Sequence, residues 1–219
     1  MKLYSYWRSQ AAFRVRVALR LKRVEFQVQT IDILKGDQSS PDYRGLNPEM
    51  VVPTLIDGDG PPLVQSLAIV EYLDERYPNP PLLPADTRDR AHVRALAQML
   101  AGDAHPFVVP RVQRYLKHEL NVDDSGRMKW LRHWMDAGLR AVEATLARDS
   151  RTGRFCYRDQ PTMADLCLVS HIISATSMPD YDMTPYPTAR RIFDACMQIE
   201  AFAGAHPLKQ PDAPSAAGK

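Results

Sequence analysis

Apolar and polar positions along the chain follow two rhythms, and the rhythm changes about a third of the way through. Residues 2–6, "KLYSY", and 25–33, "EFQVQTIDI", alternate with period two, as half-buried strands do. Between them "AAFRVRVALRLK" (11–22) sets Phe13, Val17 and Leu21 at helical spacing. "SPDYRGLNP" (40–48) reads as a short helix or turn closed by Asn47-Pro48. "VVPTLIDGDGPPLVQ" (51–65) reads as two short strands around Asp57-Gly58-Asp59-Gly60, a hairpin signal. "SLAIVEYLDERY" (66–77) is an amphipathic helix that stops before Pro78. The order β-α-β-α-β-β-α predicts a small α/β layer.

The stretch "PNPPLLPAD" (78–86) is proline-rich and aperiodic, and it places an interdomain linker at 81–87. Every later pattern is helical. A long helix is expected over 88–119, disturbed at Pro106 and Pro110. Others are expected over 125–148 and 161–173, with one or two more in "TARRIFDACMQIEAFAGAH" (188–206). Thr162-Met163-Ala164-Asp165 forms an S/T-x-x-D capping box before an apolar run, a structural feature. Periodicity assigns Ile69, Tyr72, Leu73 and Leu168 to the core. The expected organisation is an α/β domain at 1–80, an all-helical domain at 88–210 and a loose tail at 211–219.

Composition narrows the classes. Of 219 residues, 45% are hydrophobic and 25% charged, as in ordinary globular proteins, and the length suits one large domain or two small ones. A net charge of +2 argues against a dedicated nucleic-acid binder. The histidines show no metal-ligand spacing, so no metal is expected. Cys156, Cys167 and Cys196 are few and far apart, which fits a reducing compartment better than a disulfide scaffold. The N-terminus has no signal-peptide core, and no apolar run nears the ~20 residues that span a bilayer. The cytoplasm is the expected location, with no membrane partner.

Where the first strand hands over to the first helix stands "YWRSQAAFRVRVAL" (6–19), a hydroxyl beside arginines. This motif is similar to the zeta-class pattern of the glutathione transferases, in which Ser-Ser-Cys precedes Trp/His-Arg-Val-Arg. "NPEMVVPTL" (47–55) with "QSLAIVEYLDE" (65–75) resembles the family's glutathione-holding elements. "PTMADLCLV" (161–169) and "DMTPYPT" (182–188) resemble zeta-class C-terminal segments. The similarity runs over nearly the whole chain. It implies an N-terminal thioredoxin-like glutathione-binding domain and a C-terminal helical bundle that lines the electrophile site. It also implies glutathione as cofactor, a small-molecule electrophile and a homodimer. The zeta family includes maleylacetoacetate and maleylpyruvate isomerases, so the implied activity is cis–trans isomerisation of a maleyl keto acid. A transferase acting on another electrophile, and a non-catalytic glutathione-fold binding protein, are the rival readings.

The residues themselves support two roles each. Ser9 by its position reads as a helix cap. The resemblance implies a hydroxyl donor to the glutathione thiolate, with Arg8 catalytic and Arg8 and Arg14 adding positive potential. Gln10 has an amide that could donate beside it. Val52-Pro53 reads as an ordinary edge-strand proline, whereas in the implied fold the bond is cis and Val52 holds the cysteinyl backbone. Gln65-Ser66 ends a strand and opens a helix. Ser66 would cap it, and its N–H groups suit the γ-glutamyl carboxylate. Gln38, after the second strand, matches a glutamine at the glycyl end. His105 reads as a packing or surface histidine, but the resemblance sets it near glutathione. Arg111 reads as a solvated helix arginine, while the resemblance implies a contact to substrate beside Arg8. Two departures stand out. The family cysteine is Ala11, with Gln10 and Ala12 in place of serines, and the family's substrate arginine matches Ser177. The family's proline-glutamine is Ser170-His171.

Overall fold

The computed structural model describes residues 1–214. The chain divides into two compact units. One is Met1–Leu82 together with the segment from Met197 onward, and the other is Leu83–Cys196.

In the first unit the expected order holds. β1 (Lys2–Ser5), α1 (Gln10–Leu21), β2 (Gln27–Thr30), α2 (Pro41–Leu46), β3 (Thr54–Ile56), β4 (Leu63–Val64) and α3 (Ser66–Arg76) follow one another. The sheet order is β2-β1-β3-β4, with β1 parallel to β2 and antiparallel to β3. Leu3 faces both Val28 and Leu55, and Leu3 and Leu55 are fully buried. A β-α-β crossover between parallel strands, followed by a hairpin and a helix, is the thioredoxin-like arrangement implied by the sequence. α1 and α3 pack together, with Phe13, Val17, Ile69 and Leu73 buried. Lys22 closes α1, and its ammonium sits 2.5 Å from Asp74 Oδ1 and 2.6 Å from the Pro80 carbonyl. Tyr72 is a correction. It is only half-buried and donates its phenol to Asp57 at 2.6 Å, because it lies at the edge of the helix's apolar stripe.

In the second unit the expected 88–119 helix is broken. α4 (Thr87–Ala101) ends before a 3-10 turn at His105–Phe107, and α5 (Pro110–His118) starts afresh with proline at its first position. A proline there has no N–H to lose, so it begins helices and cannot continue them. α6 (Asp124–Leu146), α7 (Met163–Thr176) and α8 (Pro187–Met197) complete the bundle, the last residue of α8 passing into the first unit. α7 is buried on nearly every side, including Leu168. Its capping box is present. Asp165 Oδ2 accepts the Thr162 N–H at 2.7 Å and hydroxyl at 2.9 Å, and Oδ1 accepts the Cys156 N–H at 2.8 Å. One face of α6 holds the chain between α7 and α8 and the first turn of α8. Arg132 donates to the Pro179 carbonyl, Asp136 accepts from Tyr181 at 2.6 Å, and Glu143 takes the Thr188 and Ala189 N–H groups.

Two expected boundaries change. The division between the units falls after Leu82, inside the expected 81–87 linker, where Leu82 and Leu83 are buried and Asp86 caps α4 through the Arg88 and Asp89 N–H groups. The helical unit ends at Cys196, not 210, because α9 (Glu200–Gly204) packs on α1 of the first unit and buries Phe202 there. Of the expected loose tail, Asp212 is anchored on the Trp7 N–H at 2.9 Å, while 215–219 lie outside the described residues. Among the described residues no helix is long and apolar enough to cross a membrane.

Candidate active site

Strand register gathers the first unit's candidate residues at one end of the sheet. Ser5 pairs with Thr30, and Tyr4 pairs with Thr54, which pairs in turn with Val64. The turn to Ser9, the loop to Gln38, Pro53 and Gln65 therefore leave or enter the sheet at that same end. Beneath them Tyr6, Ile31, Tyr43 and Val52 form a buried cluster, with Trp7 and Ile33 packed on it. A surface groove of about 900 Å³ lies at the opposite end, between Met1, Arg20, Gln27 and Ile56, and holds none of the candidates.

Ser9 is the N-cap of α1 with extended backbone, and its Oγ accepts the Ala12 N–H at 3.1 Å. The capping expectation is met. That bond uses a lone pair, so the hydroxyl proton stays free to donate. Among the described residues no acceptor takes it. The first-turn N–H groups of α1 have no partner within the helix, and they carry the positive end of its dipole. Gln10 and Ala11 are α1's first two residues, and Gln10 is buried. Arg8 is exposed and lies over the Trp7 ring, 5.6 Å from its centroid. Arg14 is buried, and its Nε donates back to the Gln10 carbonyl at 3.3 Å.

The Val52-Pro53 bond is cis, as the resemblance implied, and so is Asn79-Pro80. Two residues that the sequence reading passed over hold this corner. The Tyr43 hydroxyl donates to the Val51 carbonyl at 2.6 Å and lies 3.0 Å from Thr54 Oγ1. Asn47, fully buried, donates to the same carbonyl at 2.8 Å and accepts the Glu49 N–H. In the sequence Asn47-Pro48 marked only a turn.

Ser66 is corrected in its local role. The N-cap of α3 is Gln65, and Ser66 is the first helical residue. Gln65 has φ 67° and makes no side-chain cap, so the α3 N-terminus is open. A non-glycine residue in this region costs about 1–3 kcal/mol, and such outliers concentrate where backbone must meet a ligand. The Gln65 amide donates to Glu49 at 2.6 Å, which fixes its direction. Gln38 sits in a 3-10 turn, buried, with Nε2 donating to the Ile33 carbonyl at 3.3 Å and Oε1 buried without a partner. The unfilled group is an acceptor, so it suits a ligand N–H better than a carboxylate.

In the second unit His105 opens the 3-10 turn instead of lying within a helix, and it is half-buried. Arg111 is exposed in the first turn of α5. Ser177 ends α7, exposed, with its hydroxyl donating to the Ser174 carbonyl at 2.7 Å. A short hydroxyl engaged in this way is no replacement for a guanidinium.

One residue that holds the site left only its charge in the sequence. Arg16 is 1% exposed. It donates to Ser5 Oγ at 2.9 Å, to the Tyr6 carbonyl at 3.3 Å, to the Trp7 carbonyl at 3.2 Å and to the Ala205 carbonyl at 3.3 Å. Burial lowers its pKa to about 10, with nearby Asp212 opposing, so it stays charged at neutral pH. Burial also raises the Tyr6 phenol. Arg16 underpins the turn that carries Arg8 and Ser9.

The glutathione S-transferase N-terminal domain model matches residues 1–75. A maleylpyruvate isomerase from Ralstonia is 41% identical over 97% of this chain and 99% of its own. A maleylacetoacetate isomerase structure from Methylobacterium extorquens AM1, with malonate and glutathione bound, superposes with a TM-score of 0.95. It is 45% identical and covers 98% of this chain and 100% of its own. A maleylpyruvate isomerase structure described as a bacterial zeta-class enzyme gives a TM-score of 0.94 at 41% identity, over 98% of this chain and 100% of its own. With this likeness along the full length, the chain belongs to the zeta class of glutathione S-transferases.

Proposed function

We propose that the protein is a glutathione-dependent cis–trans isomerase of a maleyl keto acid, maleylacetoacetate or maleylpyruvate. The observation that carries the proposal is the state of Ser9. Its oxygen caps α1 through the Ala12 N–H while its proton remains available beside the unpartnered N–H groups of the helix. A free thiol ionises near ~8.5, and this arrangement favours the anion. The thiolate adds to one carbon of the cis double bond, and the π electrons move to the carbonyl as an enolate. The former double bond, now single, rotates. The enolate then reforms the double bond in the trans sense and expels the thiolate, so glutathione is regenerated.

The substrate is a dianion, and charge developing on the enolate needs cations. We assign Arg8 and Arg111 to that role. Val52 and Pro53 hold the cysteinyl backbone, the open α3 N-terminus at Gln65 and Ser66 takes the γ-glutamyl carboxylate, and Gln10, Arg14, Gln38 and His105 complete the glutathione contacts. The Methylobacterium relative that holds both malonate and glutathione supports a dicarboxylate as the second ligand. The first unit is the glutathione-binding part, and the second supplies electrophile contacts. The three cysteines are buried free thiols, in keeping with work in the cytoplasm, and membership of the family supports a homodimer. Ala11 and the engaged Ser177 favour one alternative, a transferase acting on another electrophile.

Incubation with maleylpyruvate or maleylacetoacetate plus glutathione, followed by absorbance, should show isomerisation. Ser9→Ala should cut turnover about 10–100-fold with glutathione affinity largely kept. Turnover unchanged in that variant would remove Ser9 from the mechanism. Activity confined to a chlorodinitrobenzene-type electrophile would favour the transferase reading.

A further inference from the structure

The turn that presents Arg8 and Ser9 has no regular structure of its own. Three hydrogen-bonding features hold it. The Ser9 N–H donates to the Tyr6 carbonyl at 3.1 Å. Arg16 donates from below to Ser5, Tyr6 and Trp7. The third comes from the far end of the chain, where Asp212 Oδ2 accepts the Trp7 N–H at 2.9 Å across 205 positions.

The segment bearing Asp212 is itself built. α9 packs on α1, and the Ala205 carbonyl receives Arg16. The Gln210 amide donates to the Gly204 and His206 carbonyls at 3.2 and 2.9 Å, and the Ala213 N–H donates to the Gln210 carbonyl at 3.1 Å. The carboxylate thus stands on a folded platform. Its oxygen is a charged acceptor on a backbone donor, and such bonds are short and strong. It also faces the buried Arg16 guanidinium electrostatically.

We propose that Asp212 is a positioning residue for the glutathione thiolate. It holds the Trp7 peptide, and through that peptide it fixes the direction in which Ser9 and the first-turn N–H groups of α1 point. The inference rests on the thiolate role of Ser9. Asp212 acts electrostatically on Arg16 and on the Tyr6 phenol; Arg8 and Asp32 also act on Tyr6, Arg20 on Arg16, and His206 is held below its usual pKa by burial and then by Lys209 and Arg16.

The two simplest variants pull in opposite directions. Asp212→Ala removes acceptor and charge, so the turn loosens and the thiolate loses its aligned donors. Asp212→Asn keeps an oxygen for the Trp7 N–H but removes the anion, leaving the field of Arg16 uncompensated. The bound thiol should be titrated by thiolate absorbance across pH in wild type, both Asp212 variants and Ser9→Ala, with kcat and KM measured for maleylpyruvate. In Asp212→Ala the thiol should titrate about one pH unit higher and kcat should fall about tenfold, with KM within about twofold. Asp212→Asn should keep most of the turnover and titrate below wild type. Wild-type titration and kcat in Asp212→Ala, even with a lower melting temperature, would overturn the proposal alone, provided Ser9→Ala still shifts the thiol. A wild-type thiol that ionises no more readily than free glutathione would overturn this proposal and the Ser9 reading together. Should Asp212→Ala fail to fold, Asp212→Asn decides, because a thiol titrating at or above the wild-type value in that variant is also incompatible with the proposal.

Discussion

At the scale of single residues, one arginine is worth more to the site than its place in the sequence suggests. Arg14 and Arg16 look alike in "FRVRV", and the resemblance directs attention to Arg14. The structure gives Arg16 the four-acceptor role, between the end of β1, the turn to Ser9 and Ala205. A guanidinium can serve these acceptors because its donors diverge in a plane, whereas an ammonium cannot reach them together. Arg16→Lys should therefore destabilise the protein by about 2–3 kcal/mol, seen as a lower urea midpoint, because carbonyls are left buried without donors. A midpoint within error of wild type would show that water or neighbouring groups replace the bonds. From the residues alone Ser9 reads as a helix cap and Pro53 as an edge-strand proline, and it is the resemblance that points to glutathione at Ser9, Val52-Pro53 and Gln65-Ser66. The site was illegible for Arg16, Asn47, Tyr43 and Asp212, whose partners are backbone atoms set by the fold. A single sequence names donors, but it does not say which carbonyls will face them.

At the scale of elements, periodicity found nearly every strand and helix but understated where continuity fails. The strands were clear because alternation coincides with turn residues, as at Asp57-Gly58-Asp59-Gly60. Over 88–119 the apolar stripe resumes beyond Pro106 and Pro110, so the pattern predicts one helix disturbed there. The backbone breaks outright, ending α4 and restarting at α5. The capping box of α7 was legible because its logic is local. Asp165 does more than cap, since it is fully buried and its Oδ1 reaches the Cys156 N–H as well. Burial raises its pKa, against hydrogen bonds that lower it. Asp165→Ala should cost about 3 kcal/mol, above the ~0.5–2 of an ordinary cap, because the Cys156 and Thr162 donors are orphaned in the interior. Differential scanning calorimetry would read the loss. A cost no larger than that of Asp86→Ala at the exposed start of α4 would show that the added contact contributes little.

At the scale of the whole molecule, composition and linker signals separated an α/β part from a helical part but could not assign the last helix. α9 has the same apolar pattern as its predecessors, and only its packing on α1 shows that it belongs with the first unit. Acid acts on the second unit through one cluster of carboxyls and a histidine. In the second, Arg151 makes a bidentate contact to Asp149 and reaches Asp89 at 3.0 Å, and Tyr157 donates to Asp89 at 2.5 Å. These bonds hold both carboxyls below the usual range. His92 on α4 is also held low, mainly by burial and then by Arg151, despite Asp149 at 3.5 Å. The signs agree. A carboxyl depressed in the fold stabilises above its unfolded pKa of about 4 and loses that contribution as pH falls through the folded value. A depressed histidine binds its proton more readily when unfolded, so stability falls below about pH 6.5. Asp165, raised by burial, runs the other way and only blunts the slope. The second unit should therefore be steady between about pH 7 and 8, soften below about 6.5 and lose more below about 4. Trp130 and Trp134 lie in this unit and Trp7 in the other, so urea unfolding of a Trp7→Phe variant, followed by fluorescence, reads the second unit by itself. His92→Gln should remove the first phase of softening and leave the second. A midpoint that stays level from pH 7 to 5 in the parent would show that His92 keeps its ordinary titration in the folded chain.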